Sequence, residues 1–193
     1  MSEGGFTYAY PRPMVVVDAV VFTVREGHLE VLLIKRGHAP FEGMWATPGG
    51  FVDMDEELET AAARELEEET GVTGVRLVQY HAFGGVERDP RGRVVGIAYL
   101  GIVSSEECSL RAGDDAADVT WMPVADLPRL ASDHNLVVRT AVEYFRMLAR
   151  SCTDDHGFFP SARLKQAFLD ALGVLPEPGR IELPLERTQN PDA

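Results

Sequence analysis

An α/β sandwich built on a mixed sheet is the fold class the sequence predicts, and three observations predict it. Apolar, β-branched runs near the N-terminus read as strands, one strongly acidic helix interrupts them, and further strand-like runs lead to a second helix with apolar periodicity. With 193 residues and 45% hydrophobic content, the chain can bury the core such a fold needs.

Met14 to Val24, MVVVDAVVFTV, is apolar enough for a strand buried on both faces, and Leu29 to Arg36, LEVLLIKR, is a second. The turn Arg25-Glu26-Gly27-His28 between them makes the pair a hairpin. Gly37 to Gly50 reads as a loop, punctuated by Pro40, Pro48, Gly49 and Gly50. Beyond the acidic helix, Val75 to Phe83 and Gly92 to Val103 are strand candidates joined by the polar loop Gly84 to Arg91. A shorter strand, Val119 to Val124, follows an acidic loop over residues 104–116. His134 to Arg150 places Leu136, Val137, Ala141, Tyr144, Phe145 and Leu148 at helical spacing, with Asp133 positioned to cap it.

This order predicts a main domain over residues 1–150 and a C-terminal extension over residues 151–193. In the extension, Ser161 to Leu172 carries Leu164, Ala167, Phe168, Ala171 and Leu172 on one stripe between Pro160 and Gly173. A helix of that length is marginal alone and must dock on the main domain or on a second copy. Pro176 to Ala193 is expected to be extended.

The acidic helix is the informative element. In GFVDMDEELETAAARELEEETGV, residues 50–72, Leu58, Ala61, Ala62 and Leu66 form an apolar stripe. Asp53 and Asp55 offer capping side chains, Glu56 and Glu57 favour the positive end of the dipole, and Gly71 is placed to end the helix. Glu65, Glu68 and Glu69 then leave one face within a single turn. Like charges that close disfavour ionisation and weaken the helix, so the cluster implies hard divalent cations among the carboxylates. Oxygen ligands with positions left for water and phosphate suit Mg²⁺ or Mn²⁺. Taken by itself, such a glutamate run is more commonly a solvated acidic face.

The surroundings reverse that balance. Gly50, Glu56, Arg64, Glu65, Leu66, Glu68, Glu69, Gly71 and Val72 fill the pattern G-x5-E-x7-R-E-U-x-E-E-x-G-U, where U is a bulky aliphatic residue. This resembles the signature of the Nudix hydrolases, which cleave nucleoside diphosphates linked to another group, and it covers residues 12–150. The resemblance implies a Nudix-type α/β/α sandwich with the acidic helix at its catalytic edge. It further implies that Glu65, Glu68 and Glu69 hold metal beside the Gly49 or Gly50 backbone, and that Arg64 orients the cluster with help from Glu56.

Substrate must be read outside the signature. Arg88-Asp89-Pro90-Arg91-Gly92-Arg93 presents three arginines whose forks suit phosphate or ribose oxygens, although a charged turn is the plainer reading of the residues alone. That run after Phe83-Gly84, with Tyr10-Pro11-Arg12-Pro13, Pro40-Phe41-Glu42-Gly43 before Trp45, and Asp133-His134, resembles the ADP-ribose pyrophosphatase branch. Thr47 stands where many relatives carry leucine, which implies altered packing or hydrogen bonding rather than loss of the site. The resemblance makes Arg36, Trp45, Arg88, Arg91 and Arg93 substrate-binding candidates, with Trp45 equally readable as a packing anchor.

A diphosphate resists hydroxide because its oxygens repel it, so catalysis needs charge neutralisation, a positioned water and a carboxylate to take the proton. In this family that base is a box glutamate or an acid on a distant loop, and among Glu106, Glu107, Asp114 and Asp115 the preference falls on Asp115. His28, His38, His81 and His156 have no ligand spacing, which argues against zinc, and His134 reads first as structural.

A net charge of −13 argues against a nucleic-acid polymer as ligand and for a small anionic nucleotide met by local positive charge. No apolar run reaches about 18 residues, so no membrane span is expected, and MSEGGFTYAYPRP does not read as a secretion signal. Cys108 and Cys152, with no partner motif, suggest thiols in a reducing cytoplasm, a single disulfide between them being the alternative. The expected activity is hydrolysis of ADP-ribose to AMP and ribose 5-phosphate by a homodimer whose interface includes residues 158–185. The alternatives are another nucleotide substrate, such as an oxidised nucleoside triphosphate, dinucleotide or sugar nucleotide, and a non-catalytic sensor of ADP-ribose or NAD-related ligands. Against the sensor, residues 151–193 are too few and too acidic for an appended winged helix.

Overall fold

The computed structural model describes residues 8–104, 108–113, 116–151, 158–159 and 161–175. The long hairpin forms as the sequence predicts. β1 (Met14–Arg25) and β2 (His28–Arg36) pair antiparallel with Phe22 opposite Val31 and Arg25 opposite His28. The two residues between them, Glu26 and Gly27, both take positive φ, which matches the turn to the twist of the strands.

The stretch expected to be a loop holds two short strands, β3 (Trp45–Ala46) on β2 and β4 (Gly49–Phe51) on β1. After α1 (Leu58–Thr70) come β5 (Val78–Phe83), β6 (Val94–Ile102) and β7 (Ala116–Pro123), then a 3-10 turn at Val124–Asp126, α2 (His134–Ser151) and α3 (Ala162–Val174). The seven strands make one sheet in the order β3-β2-β1-β6-β5, with β4 also on β1 and β7 on β2. Among the paired strands of the described residues only β1 and β6 run parallel, so the sheet is mixed as expected.

Alternation along β1 divides the core. Val20 and Phe22 pack with Val137, Phe145 and Phe168 of α2 and α3, while Ala19 and Val21 pack with Leu66 of α1 on the opposite face. That is an α/β/α sandwich, and it leaves α1 and the β4 edge to build the site.

Several local expectations are corrected. Glu57, not Asp53 or Asp55, is the residue before the first turn of α1, and no side chain caps it. The segment ahead makes its own turn, in which the Glu56 amide donates to the Asp53 carbonyl. Gly71 ends α1 in the left-handed conformation, its amide donating to the Glu67 carbonyl at 2.8 Å. Val75 and Leu77 pack against the cluster of Leu66 and Val21 without joining the ladder, so β5 starts three residues later than predicted. Leu136 is 43% exposed, and Val138 and Val142 take the core positions on α2. Asp133 accepts the first α2 amides through its carbonyl, because its carboxylate is held by Arg88.

In the extension, Ser161 caps α3 by accepting the Leu164 amide at 3.1 Å. Phe168, Ala171 and Leu172 are buried in this chain's own core, with the Phe168 ring edge-on to Phe145 at 5.3 Å. The stretch from Pro176 to Ala193 lies outside the described residues.

Candidate functional site

The acidic face of α1 is packed against β4 through bare backbone. A Cβ at Gly50 would collide with the Glu65 carboxylate, and the Gly49 amide donates to Glu69 Oε2 at 2.9 Å. Arg64 gathers the rest. Its Nε and Nη2 donate to Glu56 at 2.8 and 2.9 Å, its Nη1 to Glu65 at 2.8 Å and Glu68 at 3.1 Å, and its Nη2 also to the Phe51 carbonyl at 3.1 Å.

These contacts split the carboxylates electrostatically. The Arg64 hydrogen bond holds the Glu56 carboxyl below its ordinary value. Burial pushes Glu65 upward despite Arg64 beside it, and the Glu56 bond holds the guanidinium itself above its usual range.

Among the described residues no three acidic, histidine or cysteine side chains converge on one point. Arg64 lies between Glu65 and Glu68, and the Gly49 amide takes Glu69. The donor chemistry nevertheless fits a hard divalent cation. Glu65 is a half-buried carboxylate whose Arg64 partner is shared with Glu56 and Glu68, and a cation would relieve the burial that raises it.

A cavity of about 690 Å³ opens beside this face, with Arg64, Glu65 and Glu69 on one wall and Arg36, Arg88 and Arg91 among its other lining residues. A second groove of about 790 Å³ lies between the N-terminal segment and residues 51–54 and touches none of the box glutamates. The carboxylates and arginines meet in the smaller cavity.

The structure distributes the predicted substrate residues unevenly. Arg36 reaches the cavity with Nε bonded to the Pro40 carbonyl at 2.8 Å. Arg88 is buried in a two-pronged pair with Asp133 at 3.0 and 2.8 Å, and its Nη2 lies 3.7 Å from Asp18. Burial alone would lower the Arg88 guanidinium, but Asp133 and Asp18 outweigh it. Arg91 pairs with Asp89 at 2.7 Å and lies over the Phe51 ring at 4.9 Å. Arg93 is away from the cavity, its Nη1 closing the β5–β6 loop on the carbonyls of Gly84 and Gly85 at 2.8 and 2.9 Å. Trp45 is also outside the lining; its ring packs on the large core cluster, with the Lys35 ammonium 5.9 Å from its centre. Asp115, with Glu106, Glu107 and Asp114, lies outside the described residues.

Asp18, Thr47 and His134 are among the lining residues that sequence reasoning did not make site candidates. The Thr47 amide donates to His134 Nδ1 at 3.1 Å, and its hydroxyl stands 2.8 Å from the same nitrogen. Asp18 was findable as the lone charge inside a long apolar strand, where an unpaired carboxylate is costly.

An acidic helix folded against a two-glycine edge on a mixed α/β/α sandwich defines a Nudix domain. Residues 13–142 match the NUDIX domain family, and the chain belongs to it. The chain is 38% identical over 131 residues to the ADP-ribose pyrophosphatase of Methanocaldococcus jannaschii, spanning 67% of this chain and 73% of that protein. It is 41% identical over 97 residues to the ADPR responsive transcriptional repressor NtrR of Acinetobacter baylyi, spanning 49% of this chain but 39% of the repressor. Among solved structures, the NUDIX domain of Shewanella oneidensis NrtR complexed with ADP ribose superposes with a TM-score of 0.66 at 36% identity, covering 71% of this chain and 91% of that one. A MutT/nudix family protein from Enterococcus faecalis gives a TM-score of 0.76 at 28% identity, covering 89% and 78%.

Proposed function

We propose that this Nudix pyrophosphohydrolase cleaves ADP-ribose to AMP and ribose 5-phosphate. The observation that carries the reading is the single cavity that unites the Glu65 and Glu69 carboxylates with Arg36 and Arg91. Likeness to an ADP-ribose pyrophosphatase and to a domain complexed with ADP ribose supports the choice of substrate.

In this reading Glu65, Glu68 and Glu69, with the Gly49 backbone, hold Mg²⁺ or Mn²⁺, which when bound supplies charge neutralisation on the diphosphate and activation of water. Arg64 keeps the three carboxylates aligned while Glu56 anchors the guanidinium from the opposite side. Arg36 and Arg91 donate to anionic oxygens along the cavity wall. A carboxylate must still take the proton, and a box glutamate or Asp115 is read as that base. The enzyme is further read as a cytoplasmic homodimer whose interface includes residues 158–185, which light scattering on the full chain tests. Among the described residues, no helix is long and apolar enough to cross a membrane.

A panel of ADP-ribose, NADH, diadenosine polyphosphates, sugar nucleotides and deoxynucleoside triphosphates, assayed with Mg²⁺, tests the substrate. The highest kcat/KM is expected on ADP-ribose, with AMP as product; a preference for triphosphates replaces this reading with nucleotide sanitation. The likeness to an ADP-ribose-responsive repressor favours a sensor as the second reading. Tight ADP-ribose binding without turnover on any member of the panel would establish it.

A further inference from the structure

The cavity contains a polar group that the diphosphate chemistry does not use. Asp18 of β1 lies on its lining with Thr47, Arg88 and His134. The residue is 4% exposed, yet every contact to its carboxylate is long. Thr47 Oγ1 is 3.5 Å and His134 Nε2 3.8 Å from Oδ1, and Arg88 Nη2 is 3.7 Å from Oδ2. Among the described residues Oδ2 accepts no hydrogen bond.

The neighbours are engaged elsewhere. Arg88 gives its short bonds to Asp133. His134 Nδ1 accepts the Thr47 amide, so the neutral ring carries its proton on Nε2, on the side facing Asp18. Burial keeps that ring neutral by lowering its pKa. The strand beside them is cut away to fit. A Cβ on Gly96 of β6 would collide with the Arg88 guanidinium and stand 3.0 Å from Asp18 Oδ2.

A buried carboxylate held only by long contacts is costly, and a close donor relieves the cost. The donor cannot be a phosphate, whose oxygens accept and whose charge the carboxylate repels. A neutral group that donates, and can also accept from His134 Nε2, matches the place. We propose that Asp18 is a specificity-determining residue, its carboxylate accepting a hydrogen bond from a hydroxyl of the distal sugar or from the exocyclic amine of the base. The inference rests on the reading of this cavity as an ADP-ribose site. It gives the cavity two ends, with metal and diphosphate at α1 and a neutral donor at β1.

The test is a titration cycle by calorimetry, with metal chelated so that nothing turns over. The parent chain and Asp18→Asn are each titrated with ADP-ribose, with its hypoxanthine analogue, which lacks the amine, and with ADP, which lacks the distal sugar. The substitution is expected to weaken ADP-ribose by about tenfold or more and to leave one truncated ligand unaffected. Insensitivity of ADP assigns the sugar hydroxyl; insensitivity of the hypoxanthine analogue assigns the amine. Equal weakening of all three ligands, or no weakening while the parent binds ADP-ribose, overturns the assignment and leaves the functional reading intact. A parent chain that binds ADP-ribose neither with metal chelated nor with a divalent cation that does not support turnover overturns both. Should Asp18→Asn fail to melt cooperatively, Asp18→Ser, which keeps a smaller acceptor beside Arg88, carries the same comparison.

Discussion

Arg64 grips Glu56 with two nitrogens at once, Nε to Oε1 at 2.8 Å and Nη2 to Oε2 at 2.9 Å, across the junction between the β4 loop and α1. The pair fixes the guanidinium whose remaining nitrogen spans Glu65 and Glu68. Replacing Glu56 by Gln keeps the shape but removes the charge that anchors the fork. The expected outcome is a loss of about 10–100-fold in Mn²⁺ affinity or turnover, as for other groups that orient metal ligands. Calorimetric Mn²⁺ titration beside a turnover assay checks it, and parental values in both would reduce the pair to a structural clasp.

Glu68 and Glu69 allow the proposed coordination to be tested apart from folding. The Glu68 side chain is 59% exposed, so Glu68→Gln opens no core and should leave the melting temperature close to that of the parent. Turnover with Mg²⁺ should nevertheless fall by at least about a hundredfold, because a carboxylate ligand is lost. Glu69→Gln is expected to match it in activity and to melt slightly lower, since the Gly49 amide then exchanges a charged acceptor for a neutral amide oxygen. Equal activity of both variants and parent would rule out the acidic face as the metal site.

What the sequence revealed and what it hid divide along a physical line. The β1–β2 hairpin, the limits of α2 and the left-handed Gly71 are local, written in turn residues and periodicity, and they stand where expected. That Glu65, Glu68 and Glu69 leave one helix was legible because α1 itself was, its spacing being local. The partners of the arginine loop were not, because Arg88 meets Asp133 and Asp18 across 45 and 70 positions of chain. Arg93 illustrates the same limit, since nothing in its neighbourhood announces that it closes a loop on Gly84 and Gly85. Trp45 turned on burial, which only the packing of β3 against the core decides.

Neutral His134 makes stability depend on pH. Burial depresses its pKa below the ordinary 6.5, so the unfolded chain takes up a proton that the folded ring refuses. The contribution is therefore absent above that value, and stability falls as pH drops below 6.5, levelling only beneath the depressed folded value. His134→Asn, which keeps an acceptor for the Thr47 amide, should flatten this part of the curve and stay within about 1–3 kcal/mol of the parent at neutral pH. Urea denaturation from pH 5 to 8, roughly the range in which histidine titrates, provides the comparison. An unchanged slope would assign the pH dependence to other groups.

The C-terminal helix should behave as part of the core. Phe168 is fully buried, with Phe145 at 5.3 Å and Phe159 at 6.2 Å between ring centroids, and Ala171 and Leu172 continue the same face. Arg146 of α2, itself 7% exposed, donates to the Leu175 carbonyl at 3.1 Å and fastens the far end of α3. Truncating the aromatic side chain leaves a cavity that these rings cannot collapse to fill, so Phe168→Ala should cost about 3–5 kcal/mol. Deleting everything after Ser151 should cost more, because the Phe145 ring loses its cover. If the helix served only an interface between copies, both changes would alter the mass measured by light scattering and spare the denaturation midpoint of the dilute monomer. The expected result is a lower midpoint already in the dilute monomer, to which loss of the proposed dimer interface adds a concentration-dependent part.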